Sequence, residues 1–277
     1  MSEAQGFGTV DGMAHSHLAE MLDLDADVLH QYHHDLITWI SSLTPDRPLI
    51  IDVGAGTGTG ALALARRLPD AQVVAVDVSE PMLEHLQHKA HELGVADRIR
   101  TVQADLDQTW PALGPADLAW ASASLHHMAD PDHTLAQVFA ALRPGGVFTV
   151  IELDSFPCFL PDEAGAALEE RCHAVLAEKR AEAGMHIGAD WGLLLAKAGF
   201  TVEAERRFDI ALQAPLPAAA GRYAQVSFQR MRDGLEGRID AGDLAALDAI
   251  SAEILDRDDL TVRATRTVWL ARRPRTQ

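Results

Sequence analysis

The sequence predicts an α/β fold built on a doubly wound, mostly parallel sheet, and three observations point to it. From Leu49 to about Ile151, short β-rich runs alternate with helical patterns, as strands joined by crossover helices do. The first run passes straight into a glycine-rich turn, LIIDVGAGTGTG. Two more strand-like runs, FTVEAERRFDI and LTVRATRTVWLARR, follow the core.

Taken in order, LDADVLHQYHHDLITWISSL reads as one amphipathic helix preceded by a less regular leader. The core strands are LIIDVG, AQVVAVD, RIRTVQA, ADLAWAS and GGVFTVIE, and GALALARRL, PMLEHLQHKAHEL and DHTLAQVFAAL carry apolar residues at helical spacing. The third connection, Leu106 to Pro115, is too short and proline-bounded for more than a helical turn. Residues from about 162 to 198 read as helices and 215 to 256 as mainly helical, with a loop around Gln213 to Ala220. No internal repeat or low-complexity linker divides the chain.

Composition narrows the function. With 48% hydrophobic and 23% charged residues and no long unbroken apolar run, the chain reads as globular, with no membrane partner. The N-terminal stretch has neither a basic start nor an apolar centre, so a cytoplasmic protein is expected. The two cysteines, Cys158 and Cys172, fit no disulfide framework or metal spacing and are expected to be reduced. A formal charge of −18 spread along the chain repels polyanions, which argues against nucleic acid. His30, His33 and His34 share one side of a helix, yet no fourth ligand is evident, and His15 and His17 sit in the leader; no metal is expected.

The strongest chemical signal is the turn itself. A buried strand runs into Asp52, Gly54, Gly56, Gly58 and Gly60 before a helix begins. Glycine reaches positive φ and lets backbone approach a ligand, while the helix behind it offers unpaired N–H groups, so a cofactor is expected there. Gly56 to Ala61 also satisfies the GxGxxG/A dinucleotide pattern. The second strand ends at Asp77, an acceptor for two ribose hydroxyls in either kind of site. A nicotinamide-dependent oxidoreductase is therefore the rival reading.

Asp52-Val-Gly54-Ala-Gly56-Thr-Gly58 resembles the first motif of class I S-adenosylmethionine-dependent methyltransferases, an acid followed by GxGxG. Further on, Leu125-His126-His127, Asp130-Pro131 and Leu142-Arg143-Pro144-Gly145-Gly146 resemble the small-molecule methyltransferases typified by the ubiquinone and menaquinone biosynthesis enzymes. The resemblance covers roughly residues 48 to 152. It implies a Rossmann-like sheet of seven strands in the order 3-2-1-4-5-7-6, the last antiparallel, with S-adenosylmethionine as cofactor. It carries over Asp52, Gly54, Gly56 and Gly58 as the cofactor turn and Asp77 as the ribose acceptor. Asp105 would meet the adenine amino group with Leu106 beside the ring, and Val78, Met82 and Ser122 complete the expected cofactor-binding set. Residues 1–44 would be a helical cap, and 45–277 the methyltransferase domain with acceptor-side insertions at about 155–192 and 212–258.

The acceptor is expected to be a small molecule. Ala121-Ser122-Ala123-Ser124 after the fourth strand lacks the Asn/Asp-Pro-Pro-aromatic run of amino-group methylation in DNA or glutamine, and lacks the carboxylate of magnesium-dependent catechol enzymes. His126 and His127 fall just beyond that strand, where open α/β sheets bind ligands, and are the candidate bases. Glu152 and Asp154 compete for contact with the acceptor. The pocket would draw on Phe156, Phe159, Met185, His186, Tyr223, Phe228 and Met231, whereas Trp191 reads as a helix residue packed on the sheet. A homodimer is left open, and so is a protein that binds S-adenosylmethionine without transferring its methyl group.

Overall fold

The computed structural model describes residues 8–275, with side chains from His17 onward. Seven strands, β1 (Leu49–Val53), β2 (Gln72–Asp77), β3 (Ile99–Gln103), β4 (Ala116–Ser122), β5 (Leu142–Leu153), β6 (Thr201–Leu212) and β7 (Val262–Arg272), form one sheet in the order 3-2-1-4-5-7-6. β1 to β5 run parallel, and β7 is antiparallel to both neighbours. The helices are α1 (Gly8–Val28), α2 (His30–Ser41), α3 (Thr59–Arg67), α4 (Glu80–Glu92), α5 (Pro131–Ala141), α6 (Glu163–Glu182), α7 (Trp191–Lys197), α8 (Ala220–Leu235) and α9 (Ala241–Glu253). Among the described residues no helix is long and apolar enough to cross a membrane.

Both faces of the sheet are covered, which is why β1 reads as an unbroken apolar run rather than an alternation. Ile50, Val73, Leu118, Trp120 and Ile151 pack on one side with residues of α2, α3 and α4. Ile51, Val74, Ala119, Phe148 and Trp269 pack on the other with residues of α5 and α7. Trp191 is 1% exposed in this second core, the packing residue its sequence setting suggested. Asp130, Asp162, Asp190 and Asp240 each cap a helix by accepting a backbone N–H two or three residues on. Part of the acidic excess therefore has a structural use.

Two local expectations are corrected. The leader is not one helix: α1 and α2 meet at Leu29, which leaves the helical region with ψ 24°. Val28 and Leu29 are both buried at that corner, so the chain bends there to place two apolar faces. The third connection holds no more than a single turn, closed by Thr109 N–H on Asp105 O at 2.9 Å, as its length and proline allowed. β5 starts at Leu142 rather than Gly145, because Leu142 pairs with Ala116 before a register shift.

The late helices add to the first core. Phe159 meets Tyr223 edge-on at 5.2 Å, and Glu169, fully buried, accepts N–H bonds from Phe159 and Leu160 at 2.7 and 3.1 Å. Burial pushes the Glu169 carboxyl up to about 7, against those two bonds.

Candidate functional site

The strand order reverses between β1 and β4, and in open α/β sheets such a reversal leaves a crevice at the strands' C-terminal ends. The glycine turn fills one side of it. Gly54 and Ala55 both donate to Val76 O at 2.9 Å, and Gly56 donates to Asp77 Oδ2 at 2.8 Å. Gly54 has φ +71°, and a Cβ there would lie 2.5 Å from Ser124 Cβ; Gly58 has φ +84°, and a Cβ would lie 2.4 Å from Leu86 Cγ. Neither position admits another residue without displacing a neighbour. Ser124 also donates to Val53 O at 2.7 Å, fastening the end of β4 to the end of β1.

The two acids of the turn differ. Asp52 is 2% exposed beneath it and accepts the Ala61 N–H at 2.8 Å, holding the first turn of α3. Its carboxyl is pushed up to about 7: burial is the main cause, the Ala61 bond opposes it and Asp77 adds to it. The half-buried Asp77 accepts one N–H on each oxygen, from Gly56 and from Ser79, which leaves lone pairs for a ligand. Beside it Val78 is 62% exposed, an apolar side chain standing at the strand end. β3 follows in register, its end tied by Ala104 N–H to Asp77 O at 3.0 Å. Asp105 sits there in a turn closed by Asp107 N–H and by the Gln108 side chain, and Leu106 is buried next to it. Met82 is buried in the first turn of α4, as deeply as Leu106.

On the β4 side, Ser122 is half-buried at the strand end and Ala123 takes φ +51°, a conformation a non-glycine residue adopts at a cost. His126 is 4% exposed, and its Nδ1 lies 2.6 Å from Glu152 Oε2. Glu152 Oε1 accepts from Leu125 N–H at 2.9 Å and from His126 N–H at 3.3 Å. A carboxylate bound to Nδ1 fixes the imidazole ring and leaves Nε2 as the free nitrogen. His127 lies against His126 with ring centres 4.2 Å apart and is exposed. Desolvation, then the neighbouring His126 and Arg180, holds it below its ordinary value, so it favours the neutral form.

The structure thus brings Asp52, Gly54, Gly56, Gly58, Asp77, Val78, Asp105, Ser122, His126 and His127 to one edge of the sheet. Glu152 turns inward to His126 instead of outward, and Asp154 accepts from Thr267 Oγ1 at 2.7 Å. Phe159, Trp191, Tyr223, Phe228 and Met231 are core residues, while Phe156, Met185 and His186 stay partly exposed. Sequence reasoning missed Ser124, and of the N-terminal segment it expected as a cap, Leu22 of α1 lies 3.4 Å from the position of a Gly56 Cβ. Of the three histidines grouped on α2, His33 lies 3.6 Å from Asp25 and His30 bonds the Asp27 carbonyl.

Residues 50–146 match the model of a family described as a methyltransferase domain. A trans-aconitate 2-methyltransferase of Yersinia pseudotuberculosis is 33% identical over 137 residues, 47% of this chain and 50% of that protein. A Synechococcus protein of unknown function is 38% identical over 104 residues, 38% of this chain and 25% of that protein. The chain therefore spans a quarter to about half the length of these curated relatives. Among solved structures, the Bacillus halodurans protein BH2331 aligns with a TM-score of 0.57 and 18% identity, over 87% of this chain and 98% of the other. The cyclase SpnF aligns at 0.53 and 22%, over 88% and 81%. These likenesses are of fold, and a fold hosts more than one chemistry.

Proposed function

We propose that this chain, whose residues 50–146 match a family described as a methyltransferase domain, transfers the methyl group of S-adenosylmethionine to a small organic acceptor. The observation that carries the cofactor reading is the sequence of groups along two adjacent strand ends. Asp77 is a hydroxyl acceptor with spare lone pairs, exposed Val78 is an apolar platform, and Asp105 is an acceptor for an amino group. That order suits ribose, then an adenine face, then its exocyclic amine. Gly54, Gly56 and Gly58 supply a turn that a ligand can approach closely, and Leu106 backs the ring from the core.

The bound cofactor supplies an electrophilic methyl on a sulfonium, and the protein has two tasks beyond holding it. One is to align the acceptor in line with the carbon–sulfur bond and exclude water. α1 covers the glycine turn, and the segment after α6 is tied to the β4 end of the site, where His186 N–H donates to His126 O at 2.9 Å. The other is to receive the acceptor's proton where the acceptor is not already ionised. With Glu152 on Nδ1, His126 is oriented to take a proton at Nε2, and His127, held toward its neutral form, lies beside it. The relative's action on trans-aconitate supports a small polar acceptor over a macromolecule.

Calorimetric titration with S-adenosylmethionine, S-adenosylhomocysteine and NAD tests this reading, run with Asp77→Ala and His126→Ala. The first two ligands are expected to bind at about micromolar affinity, with binding lost in Asp77→Ala. His126→Ala should keep cofactor affinity and lower turnover of a screened acceptor at least about tenfold. Binding of NAD alone would replace the reading with the oxidoreductase.

A further inference from the structure

Two half-buried arginines, Arg180 and Arg230, lie on helices packed against each other, and neither forms an ion pair among the described residues. Acidic residues outnumber lysine and arginine 41 to 23 in this chain, and several of its arginines are closely matched to an acid. Arg143 with Asp117, Arg222 with Glu20, Arg266 with Asp25 and Arg272 with Glu203 each approach within 2.5–2.6 Å. Arg180, in the last turn of α6, and Arg230, on α8, form no ion pair among the described residues. Arg180 Nη1 is buried without any hydrogen-bond partner there. So is the hydroxyl of Ser227, which lies three residues before Arg230 and hence on the same side of α8.

Arg180 is also held in place. Its guanidinium carbon sits 3.7 Å from the centre of the Phe156 ring, and that ring stacks with His173 at 6.0 Å. The chain then leads directly to the site: Met185 N–H closes α6 on Arg180 O at 3.0 Å, and the next residue, His186, bonds His126 O. Desolvation and the nearby Arg230 charge hold Arg180 below its ordinary value. Two desolvated like charges near each other oppose folding, as does a buried donor left unmade. Stacking on Phe156 offsets part of this cost but satisfies no N–H. An oxyanion would satisfy both charge and donors, because the guanidinium fork matches carboxylate and phosphate oxygens in pairs.

We propose that Arg180 and Arg230, with His173 and Ser227 beside them, form an anion subsite of the acceptor pocket. The methyl acceptor is then a small organic acid or organic phosphate, held by its negative group with its reacting atom toward His126. This rests on the methyl-transfer reading and narrows its substrate class.

The test is titration of the chain, with and without saturating S-adenosylhomocysteine, using tricarballylate, succinate, glycerol 3-phosphate and inorganic phosphate, with glycerol as neutral control. At least one anion is expected to bind and to raise Tm at about 10 mM, and the preferred probe separates carboxylate from phosphate recognition. The double variant Arg180→Gln/Arg230→Gln should weaken that binding at least about thirtyfold while S-adenosylhomocysteine affinity stays within about twofold. Arg180→Lys, which keeps the charge without the fork, should recover part of the loss. Anion binding unchanged in the double variant overturns the subsite, as does a wild type that binds none of the anions. Failure to bind S-adenosylhomocysteine overturns the methyl-transfer reading instead, and the anion titration of the free chain still reads the subsite.

Discussion

At the residue scale, Asp52 shows how a motif position can support the local fold of the turn it opens. The acid that opens the glycine motif lies under the turn, bonded to Ala61 N–H and 2% exposed. Its carboxyl is pushed from 3.8 up to about 7, mainly by burial. A raised carboxylate has a definite consequence for stability. As pH rises above about 4 the unfolded chain releases this proton while the folded chain keeps it. Stability therefore declines from about pH 4 to pH 7 and levels off above that. Asp52→Asn keeps an acceptor for Ala61 and removes the ionisation, so thermal unfolding of the variant should match wild type near pH 4 and exceed it by about 3 °C or more at pH 8. A variant less stable at both pH values would mean that Asp52 is charged in the fold and that its charge is needed.

At the scale of elements, what could be read in the sequence was set by the range of the interactions. The five core strands and the terminal pair announce themselves because apolar periodicity is local, and the glycine turn does so because its φ values demand glycine at Gly54 and Gly58. The bend at Leu29, the inward turn of Glu152 and the unpaired state of Arg180 depend on partners far along the chain, and no spacing rule reports them. The attachments of the expected N-terminal cap belong with these. α1 is held by Glu20 on Arg222, by Asp23 on His85 and Lys89 at 2.7 and 2.5 Å, and by Asp25 on Arg266 and Tyr223. Burial opposes ionisation of Asp23, yet Lys89 and His85 hold it below its ordinary value. Its contribution is thus present above the usual carboxylate range and fades as pH falls through the lowered value. Asp23→Asn frees one of the three attachments, and the one closest in sequence to Leu22. Amide exchange should rise along α1 but not in β1 or β4, with cofactor dissociation about five- to tenfold faster at neutral pH. Exchange rising across the whole sheet would instead make α1 part of the global fold rather than a cover.

At the scale of the whole molecule, a charge of −18 sets a long-range field that the two ligands meet with opposite signs. S-adenosylmethionine carries one net positive charge and its demethylated product none, so the field draws in the reactant and not the product. Between about 0.15 M and 0.01 M salt the screening length grows from about 8 Å to about 30 Å. Stopped-flow association of S-adenosylmethionine should therefore accelerate several-fold at the lower salt while that of S-adenosylhomocysteine stays nearly flat. An anionic acceptor approaches against the same field and is favoured only within a few ångströms of Arg180 and Arg230. Its association should slow as salt is lowered, the reverse of what two arginines acting alone would produce. Should both ligands show the same salt dependence, the acidic surface is too evenly spread to steer either of them. The selectivity would then reside wholly in the contacts of Asp77 and of the arginines.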